Sequence, residues 1–261
     1  MLLRFSRRMS VNEPIVGSKL SWRQSLRRSL VNPLRSLRPA TTDDELTVFI
    51  AQICPYAQRA RIAIHELALP HTYVDIDLQN KPEYYTKDIN QDGKVPAIRH
   101  GGVTFAESLV CLEYLSELAG HRLYPGNALQ RAQIRHFIAF GDAKYCSKFY
   151  SILSAKDTES RETAIQDYLV ILKRLSQWLA ASNKDGPYFL GDQFTAADAA
   201  LAPWAARMFL LEHYRGFVLP ENNDDLKRYL QWHQAVLQHP SVKETTADHD
   251  FLIKSYERYA N

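Results

Sequence analysis

The sequence predicts an α/β domain followed by an all-helical domain. Residues 46–53 form a short apolar run rich in β-branched side chains, which is typical of a strand. Residues 55–69 then repeat apolar side chains at helical spacing, and residues 71–78 alternate with period two. This strand–helix–strand order indicates the start of a mixed sheet, whereas beyond "YPGNAL" the periodicity is helical throughout.

Three further segments complete the first domain. Residues 83–89 form a short helical or turn segment. The stretch "KVPAIRHGGVTFAES" contains two brief strands around Gly101-Gly102, a dipeptide typical of a tight hairpin. A helix over residues 109–118 closes the domain, which we place at residues 44–122, with its helices on the faces of the sheet.

The second domain, residues 129–258, is predicted to be entirely helical. Its helical segments, separated by Gly, Pro or Asn/Asp turns, are 129–155, 160–182, 195–213, 224–238 and 248–258. At the start of the third segment, Thr195 and Asp198 form a variant capping box, in which the hydroxyl accepts a helix N–H and the acid reaches back. We assign this pair a structural role.

Composition and charge argue against several classes of protein. Apolar residues make up 46% of the 261 residues, and no apolar run reaches the roughly 18 residues of a membrane span. Residues 1–38 carry nine basic side chains and one acid, whereas the rest of the chain carries 23 basic and 28 acidic side chains. A mildly acidic body lacks the clustered positive charge of a nucleic-acid site. We therefore expect neither nucleic-acid binding nor stable membrane insertion.

The basic N-terminal extension, residues 1–43, has the composition of a mitochondrial transit peptide. It is rich in arginine and serine and nearly free of acids, and Leu2, Phe5 and Met9 fall on one side of a helix. The alternative is a disordered basic extension, or one that is skipped by initiation at Met9. We expect a mitochondrial location, and a cytoplasmic one if the extension does not target the protein.

The cysteines fall into two kinds. Cys54, Cys111 and Cys146 are too few and too widely spaced for a disulfide scaffold or a zinc cluster, so we expect no metal. Cys111 and Cys146 lie within apolar helical patterns, which favours buried structural thiols. Cys54 differs because Pro55, a residue tolerated in the first helical turn, follows it. Cys54 is therefore predicted at or beside a helix N-cap.

This position is typical of a reactive thiol. Unpaired N–H groups and the partial positive charge of a helix start favour a thiolate, with smaller contributions expected from Arg59 and Arg61. We therefore predict that the pKa of the Cys54 thiol is lowered and that a substantial fraction of it is thiolate at neutral pH. The fourth residue of "CPYA" is Ala57, so an outside thiol such as glutathione must resolve a disulfide on Cys54. The alternative is one more buried sulfur.

Two further stretches indicate a ligand site. Pro96 begins a strand, where it would remove a ladder hydrogen bond, but a cis Val95–Pro96 bond would turn the Val95 backbone toward a ligand peptide. Ser108, after Glu107, offers a hydroxyl and N–H groups at a helix start, which suit a carboxylate. The alternatives are an ordinary edge proline and a plain helix cap.

Together, "CPYAQRARIAIHEL", "NKPEYY", "GKVPAI" and "FAESLVCLEYL" resemble the cysteine-type glutathione transferases of the omega class, with the lambda class close behind. The similarity continues through "GDQFTAADAALAPWAARM" and "HPSV", and so spans about residues 46–252. The resemblance implies a thioredoxin-like N-terminal domain, a glutathione-transferase C-terminal helical domain and a homodimer, with glutathione as co-substrate.

The resemblance also implies roles for individual residues. Cys54 matches the catalytic cysteine, which forms a mixed disulfide with glutathione. Val95 matches the residue whose backbone pairs with the cysteinyl part of glutathione. Glu107 and Ser108 match the pair that holds its γ-glutamyl end. The full set of predicted glutathione-binding residues is Tyr56, Lys81, Lys94, Val95, Pro96, Glu107 and Ser108.

Three points of the resemblance leave alternatives open. Trp204 and Arg207 match positions that line the acceptor-substrate pocket, whereas their pattern alone is typical of a core tryptophan and a surface arginine. The loop "DINQDGK" differs from the common form in the family, so Lys94 either contacts a glutathione carboxylate or is solvated. The basic N-terminal extension is longer than the short extension usual in the family. We therefore do not assume that it makes the contacts made by that short extension.

The predicted function is a glutathione-dependent thiol transferase that removes glutathione from disulfide-linked substrates, with dehydroascorbate reduction implied by the resemblance. Its partners are glutathione and small disulfide or electrophilic substrates, and conjugation to electrophiles is expected to be weak. One alternative is a conventional conjugating transferase that uses Tyr56 or a nearby hydroxyl. Another is a non-enzymatic glutathione-binding interaction module.

Overall fold

The computed structural model describes residues 45–182 and 185–261, and the predicted extension over residues 1–43 lies outside them. The described strands are β1 (Thr47–Ile50), β2 (Thr72–Asp75), β3 (Ala97–His100) and β4 (Val103–Ala106). They form one mixed sheet in the order β2-β1-β3-β4, with β1 and β2 parallel and the other two pairs antiparallel. The β3–β4 hairpin turns at Gly101 and Gly102, which both have positive φ, as predicted.

Three helical segments accompany the sheet: α1 (Pro55–Leu67), a π-helical segment (Tyr85–Ile89) and α2 (Ser108–Leu118). Helix α1 packs against β1, against α2 and against the helical domain, so it is buried on several sides. Two of its buried residues are polar, Gln58 and Arg59. Since buried polar groups need partners, these two side chains indicate where the second domain must bond to the first.

The second domain is helical throughout its described part. Its elements are α3 (Ala128–Phe140), a π-helical segment (Gly141–Cys146), α4 (Ser147–Leu153), α5 (Thr158–Ser182), α6 (Ala196–Ala205), α7 (Met208–Arg215), a 3₁₀ turn (Asp224–Leu226), α8 (Lys227–Gln238), α9 (Pro240–Thr245) and α10 (His249–Ala260). The predicted architecture, an α/β domain followed by an all-helical domain, is confirmed for the described residues. Among the described residues, no helix is long and apolar enough to cross a bilayer.

The helix predicted over residues 195–213 is two helices, α6 and α7. The break follows Pro203, and the N–H of Arg207 donates to Trp204 at 3.0 Å instead of to the Pro203 carbonyl. The Arg207 guanidinium donates to that carbonyl at 2.8 Å. The side chain of Arg207 thus replaces the missing backbone bond, which no helical pattern in the sequence indicates.

Helix α9 was not predicted as a separate element. It contains six residues, with His239 at its N-cap and Pro240 at its first position. So short a helix presents little more than one turn of apolar periodicity, and its sequence is therefore read as part of a loop. It matters for the site because it packs against α1.

The capping box at the start of α6 is confirmed. The two oxygens of buried Asp198 accept four hydrogen bonds, from Thr195 N–H and its hydroxyl and from Phe189 N–H and Trp232 Nε1, each at 2.9 Å. These bonds tie the loop before α6 and helix α8 to one carboxylate. The role of Asp198 is structural, as predicted.

Candidate active site

A cavity of about 760 Å³ brings together eight of the ten residues predicted to form the site. The eight are Cys54, Tyr56, Lys81, Lys94, Val95, Pro96, Glu107 and Ser108. The other residues of the lining are Leu78, Asn90, Gly93, Arg258 and Tyr259. Most of the described lining thus belongs to the N-terminal domain, and Arg258 and Tyr259 are the contribution of the helical domain.

Cys54 lies at the N-cap of α1, with φ −80° and ψ 118°, and Pro55 takes the first helical position as predicted. The Cys54 carbonyl accepts the N–H of Gln58 at 3.1 Å, which begins the helix. The half-buried thiol donates to the carbonyl oxygen of Val95 at 3.6 Å. The sulfur is therefore held between the start of α1 and the segment that leads into β3.

The ionisation of Cys54 differs from the prediction. Burial raises the pKa of the Cys54 thiol above its ordinary value. The backbone N–H groups of Ala57 and Tyr56 lower this pKa, as expected of a helix start, and Arg207 and Arg59 lower it to a lesser extent. Because burial outweighs these groups, the predicted lowered pKa is wrong in direction. The helix start and the arginines nevertheless favour a thiolate once the proton has left.

The loop before β3 presents Val95 to this sulfur. The Val95–Pro96 peptide bond is cis, as predicted. The carbonyl of Lys94 accepts hydrogen bonds from the Tyr85 hydroxyl at 2.5 Å and from the Asn90 amide at 2.8 Å. These bonds fix the backbone next to Val95, whose carbonyl contacts the Cys54 thiol. Tyr85 and Asn90 therefore position the site, although the sequence pattern did not indicate them.

Lys81 packs against the same loop at Gly93. This glycine has φ 63°, and a Cβ added to it would lie 3.2 Å from both Cδ and Nζ of Lys81. Glycine therefore allows the backbone to approach the lysine side chain closely. The side chains of Lys81 and Lys94 are exposed and place two positive charges in the cavity lining. Such charges suit a carboxylate ligand.

Helix α2 begins at the cavity with a strained residue. Glu107, its N-cap, adopts φ 70° and ψ 114°, an uncommon conformation for a residue with a Cβ. Ser108 is therefore the first helical residue and not the cap, and it is buried. The N–H groups of the first turn have no partners within the helix, so the start of α2 can accept a carboxylate.

Buried Arg59 joins the two domains at this point. Its guanidinium donates to the Ser108 hydroxyl at 3.0 Å, to Asp142 Oδ1 at 2.7 Å and to the Ala200 carbonyl at 2.8 Å. A buried arginine is stable here because these groups satisfy its N–H donors. The sequence predicted only a weak electrostatic effect of Arg59 on Cys54, and this bridge between the domains was missed.

Trp204 and Arg207 do not line the cavity, which differs from the expectation. Both are 0% exposed. Trp204 packs edge-on against Tyr56, with ring centroids 4.9 Å apart. Arg207 donates to the Ile53 carbonyl at 3.2 Å and to the Gln58 side chain at 2.5 Å. They support the site from behind, Trp204 through an aromatic contact and Arg207 through the backbone before the cysteine.

The helical domain faces the cavity with residues that the sequence did not indicate. Arg258 and Tyr259 lie in the last turn of α10, on a helix predicted only to its approximate length. Their distance along the chain from Cys54 leaves no local pattern that could have assigned them. Asn90 and Gly93 were missed because they lie in the loop "DINQDGK", whose residues follow no regular pattern.

The remaining cysteines have the structural role predicted for them. Cys111 and Cys146 are free and fully buried thiols. Burial raises the pKa of Cys111 to about 12 and raises that of Cys146 strongly as well. In the part of the chain that the structure describes, no three His, Cys, Asp or Glu side chains cluster closely enough to hold a metal ion.

Family models match both domains. The glutathione S-transferase N-terminal domain matches residues 48–123, and the glutathione S-transferase C-terminal domain matches residues 162–235. Among solved structures, the chain is similar to glutathione transferase Omega 2C from Trametes versicolor, at 30% identity and a TM-score of 0.71, over 84% of this chain and 100% of that one. Rice GST1 in complex with glutathione is similar at 25% identity and a TM-score of 0.73, over 84% and 99%.

Among curated proteins, the chain is similar to the probable glutathione S-transferase DHAR1, cytosolic, of Oryza sativa subsp. japonica. The two are 30% identical over 211 residues, which are 80% of this chain and 91% of the relative. With both domain models matched and a relative of this identity aligned over most of its length, the chain belongs to the glutathione S-transferase family.

Proposed function

We propose that this protein is an omega-like, glutathione-dependent thiol transferase in which Cys54 is the catalytic residue. The observation that carries the proposal is the 3.6 Å contact between the Cys54 thiol and the Val95 carbonyl, inside a cavity that also contains Lys81 and Ser108. A reactive sulfur beside carboxylate-binding groups suits a thiol-containing tripeptide with two carboxylates. Membership of the family supports glutathione as that tripeptide.

In this proposal each part of glutathione has partners in the cavity. The γ-glutamyl carboxylate accepts hydrogen bonds from Ser108 and from the start of α2, while Glu107 pairs with the γ-glutamyl ammonium. The backbone of Val95 pairs with the cysteinyl part. The glycyl carboxylate lies toward Lys81 and Lys94, whose exposed ammonium groups are free to move onto it.

The reaction consists of two thiol–disulfide exchanges. The Cys54 thiolate attacks the glutathione sulfur of a mixed disulfide, the bond to the acceptor sulfur breaks, and the acceptor leaves as a thiolate. A second glutathione thiolate then attacks the glutathione sulfur bound to Cys54, which forms glutathione disulfide and releases the Cys54 thiolate. Each step exchanges one S–S bond for another, so the cycle needs no further oxidant or reductant.

An outside thiol, which we propose is glutathione, performs the second step because the other two cysteines of the chain are inaccessible. Ala57 occupies the position where a CxxC motif has its second cysteine, and Cys111 and Cys146 are fully buried. The N–H groups of Tyr56 and Ala57 lower the pKa of Cys54, so they favour it both as nucleophile and as leaving group. By resemblance to the omega class, dehydroascorbate reduction is proposed as a companion activity.

One observation favours a second candidate, a conventional conjugating transferase. Tyr56 lines the cavity beside Cys54, and burial raises the pKa of Tyr56 to about 12, so its hydroxyl stays protonated. A protonated hydroxyl can donate to a glutathione thiolate and stabilise it as a nucleophile toward an electrophile. In that case Cys54 would be dispensable and Tyr56 would not.

The test is the intact mass of the protein after incubation with glutathione disulfide. The wild type is expected to gain one glutathione, removable by a reductant, and Cys54→Ala none, whereas the matched variant Cys111→Ala still gains one. Reduction of β-hydroxyethyl disulfide by glutathione should be lost in Cys54→Ala, while conjugation to chlorodinitrobenzene should persist or rise. Dehydroascorbate reduction should be lost together with disulfide reduction.

Two outcomes would replace the proposal. If the wild type gains no glutathione and conjugation is lost in Tyr56→Phe but retained in Cys54→Ala, the conjugating transferase is the better account. If calorimetry shows glutathione binding but neither assay shows turnover, the protein is a glutathione-binding module.

A further inference from the structure

The helical domain contributes a positively charged aromatic surface to the cavity. Of the described lining residues, Arg258 and Tyr259 come from this domain, and both lie in the last turn of α10. The proposed partners of glutathione all lie on the N-terminal domain. Arg258 and Tyr259 are therefore lining residues that remain available to the group joined to the glutathione sulfur.

The last turn of α10 is held at a defined place relative to the catalytic cysteine. Tyr256, which is 1% exposed, donates its hydroxyl hydrogen to the Ile53 carbonyl at 3.4 Å and accepts a hydrogen bond from Arg207 Nε at 3.0 Å. Arg215 also donates to the carbonyl of Ala260. These bonds link the end of α10 to the residue before Cys54 and to α7.

The guanidinium of Arg258 rests on the ring of Tyr259. The Arg258 Cζ atom lies 4.8 Å from the ring centroid, and an N–H donates to the Tyr259 hydroxyl at 2.9 Å. No carboxylate among residues 45–182 and 185–261 forms an ion pair with Arg258. The guanidinium has five donors, so donors remain for a ligand after the bond to Tyr259.

The positive charge of Arg258 is therefore additional to the charges that glutathione needs. Lys81 and Lys94 supply two cations for the glycyl end, and the start of α2 serves the γ-glutamyl carboxylate. A planar guanidinium suits a carboxylate bidentately, and the adjacent ring suits a flat apolar group.

We propose that Arg258, supported by Tyr259, binds a carboxylate on the acceptor group, so that the site prefers glutathione adducts whose acceptor is aromatic and negatively charged. This inference rests on the placement of glutathione in the proposed function. Arg258 is a specificity-determining residue in it and takes no part in the exchange of sulfur bonds.

Two thioether ligands that cannot be cleaved test the inference without turnover. S-(4-carboxybenzyl)glutathione and S-benzylglutathione differ in one carboxylate, and their affinities for the full chain are measured by calorimetry. The wild type is expected to prefer the carboxylated ligand by about three- to fivefold, the upper part of the range for a solvent-accessible ion pair. This preference should disappear in Arg258→Gln and shrink as sodium chloride is raised, because salt screens an accessible pair.

Lys254→Gln is the matched control. Lys254 lies one turn earlier on α10, is exposed and does not line the cavity, so removing its charge changes the net charge equally and should leave the preference intact. Arg258→Gln should bind S-benzylglutathione as the wild type does. An equal loss for both ligands in Arg258→Gln, or a preference that survives in it, would overturn the inference.

The inference and the proposed function fail in different ways. If S-benzylglutathione binds but the wild type shows no preference for the carboxylate, the inference is wrong while the proposed function stands. If the preference is present and depends on Arg258 but Cys54 gains no glutathione, the proposed reaction is wrong while the inference stands. If neither ligand binds, the placement of glutathione is wrong and both are overturned.

Discussion

Arg59 of α1 donates a hydrogen bond to the hydroxyl of Ser108 at 3.0 Å, within the N-terminal domain. A guanidinium has no acceptor, so the hydroxyl hydrogen of Ser108 must be directed away from Arg59. Asp142 and the Ala200 carbonyl hold the other sides of the guanidinium. The helical domain thus orients a hydroxyl at the start of α2 that we expect to donate to a ligand carboxylate.

We expect Arg59→Lys to weaken glutathione binding by about three- to tenfold. A lysine ammonium cannot bond to Ser108, Asp142 and Ala200 in the same planar arrangement, and the loss corresponds to about one hydrogen bond. Calorimetry with glutathione measures the change. Arg61→Lys is the control, because Arg61 lies on the same helix but the bond to Ser108 comes from Arg59. Equal weakening in both variants would contradict an orienting role for Arg59.

Alkylation of Cys54 by iodoacetamide should accelerate with rising pH and reach half its maximal rate above the ordinary cysteine pKa of about 8.5. The thiolate is the reactive form, and burial raises the pKa of this thiol, so a smaller fraction is ionised at pH 7. Mass spectrometry after short exposures between pH 6 and pH 10 gives the profile. Cys54→Ala should remain unlabelled because Cys111 and Cys146 are fully buried. A rate already at its plateau near pH 7 would refute this expectation.

Arg207→Met should lower the free energy of unfolding by about 2–5 kcal/mol. It leaves the Pro203 carbonyl and the Gln58 side-chain oxygen without a buried donor and removes one of two donors to the Ile53 carbonyl. An unmet buried acceptor costs about 1–3 kcal/mol. Urea unfolding measures the effect. Since Arg207 lowers the pKa of Cys54, the alkylation profile of the variant should also move to higher pH.

The control for this variant is Arg122→Met, which removes an exposed arginine and should change stability by less than about 0.5 kcal/mol. If Arg207→Met is as stable as the wild type, the buried bonds to Ile53 and Gln58 do not hold the two domains together.

Asp198→Asn should destabilise the fold without changing the chemistry of the cavity. Each carboxylate oxygen accepts two of the four hydrogen bonds from Thr195, Phe189 and Trp232. An amide has one acceptor oxygen, so its NH₂ group would face two donors. We expect a loss of about 2–4 kcal/mol in the free energy of unfolding. Glutathionylation of the remaining folded protein at Cys54 should be unaffected, and its loss would assign Asp198 to the site.

Residues 1–43 are proposed to direct the protein to mitochondria, on the strength of their arginine and serine content. A fusion of these residues to a fluorescent protein should co-localise with a mitochondrial dye. Replacing Arg4, Arg7 and Arg8 by glutamine should leave the fusion in the cytoplasm, because import of a transit peptide depends on its positive charge. A diffuse signal from the unaltered fusion would indicate a basic extension without a targeting role.

Some residues of the site could be predicted because their signals are local. Pro55 places Cys54 at the helix start through its missing N–H, and Gly101-Gly102 indicates the hairpin that precedes α2. The cis bond before Pro96 follows from a proline at the start of a strand. Each of these features depends on a few consecutive residues, so it can be predicted without knowing how the rest of the chain packs.

Other features depend on residues that meet only in the folded chain. The pKa of Cys54 was predicted in the wrong direction because a helix start can be read from the sequence, whereas the burial that outweighs it cannot. Arg207 was expected in a pocket, yet it is fully buried and bonds to Ile53. The apolar residues that flank Arg207 in the sequence do not indicate that the carbonyls of Ile53 and Pro203 accept its hydrogen bonds in the folded protein.

The sequence by itself determined the order of the elements, the division into an α/β and a helical domain, and the cysteine at the start of α1, because these follow from short-range periodicity, proline and glycine. The tertiary structure alone decided which side chains of the helical domain line the cavity or bond to the backbone before Cys54. It placed Arg59 against Ser108, Arg207 against Ile53, and Arg258 on Tyr259 at the cavity. The physical reason is that burial and long-range hydrogen bonds are set by how whole helices pack, which no local pattern contains.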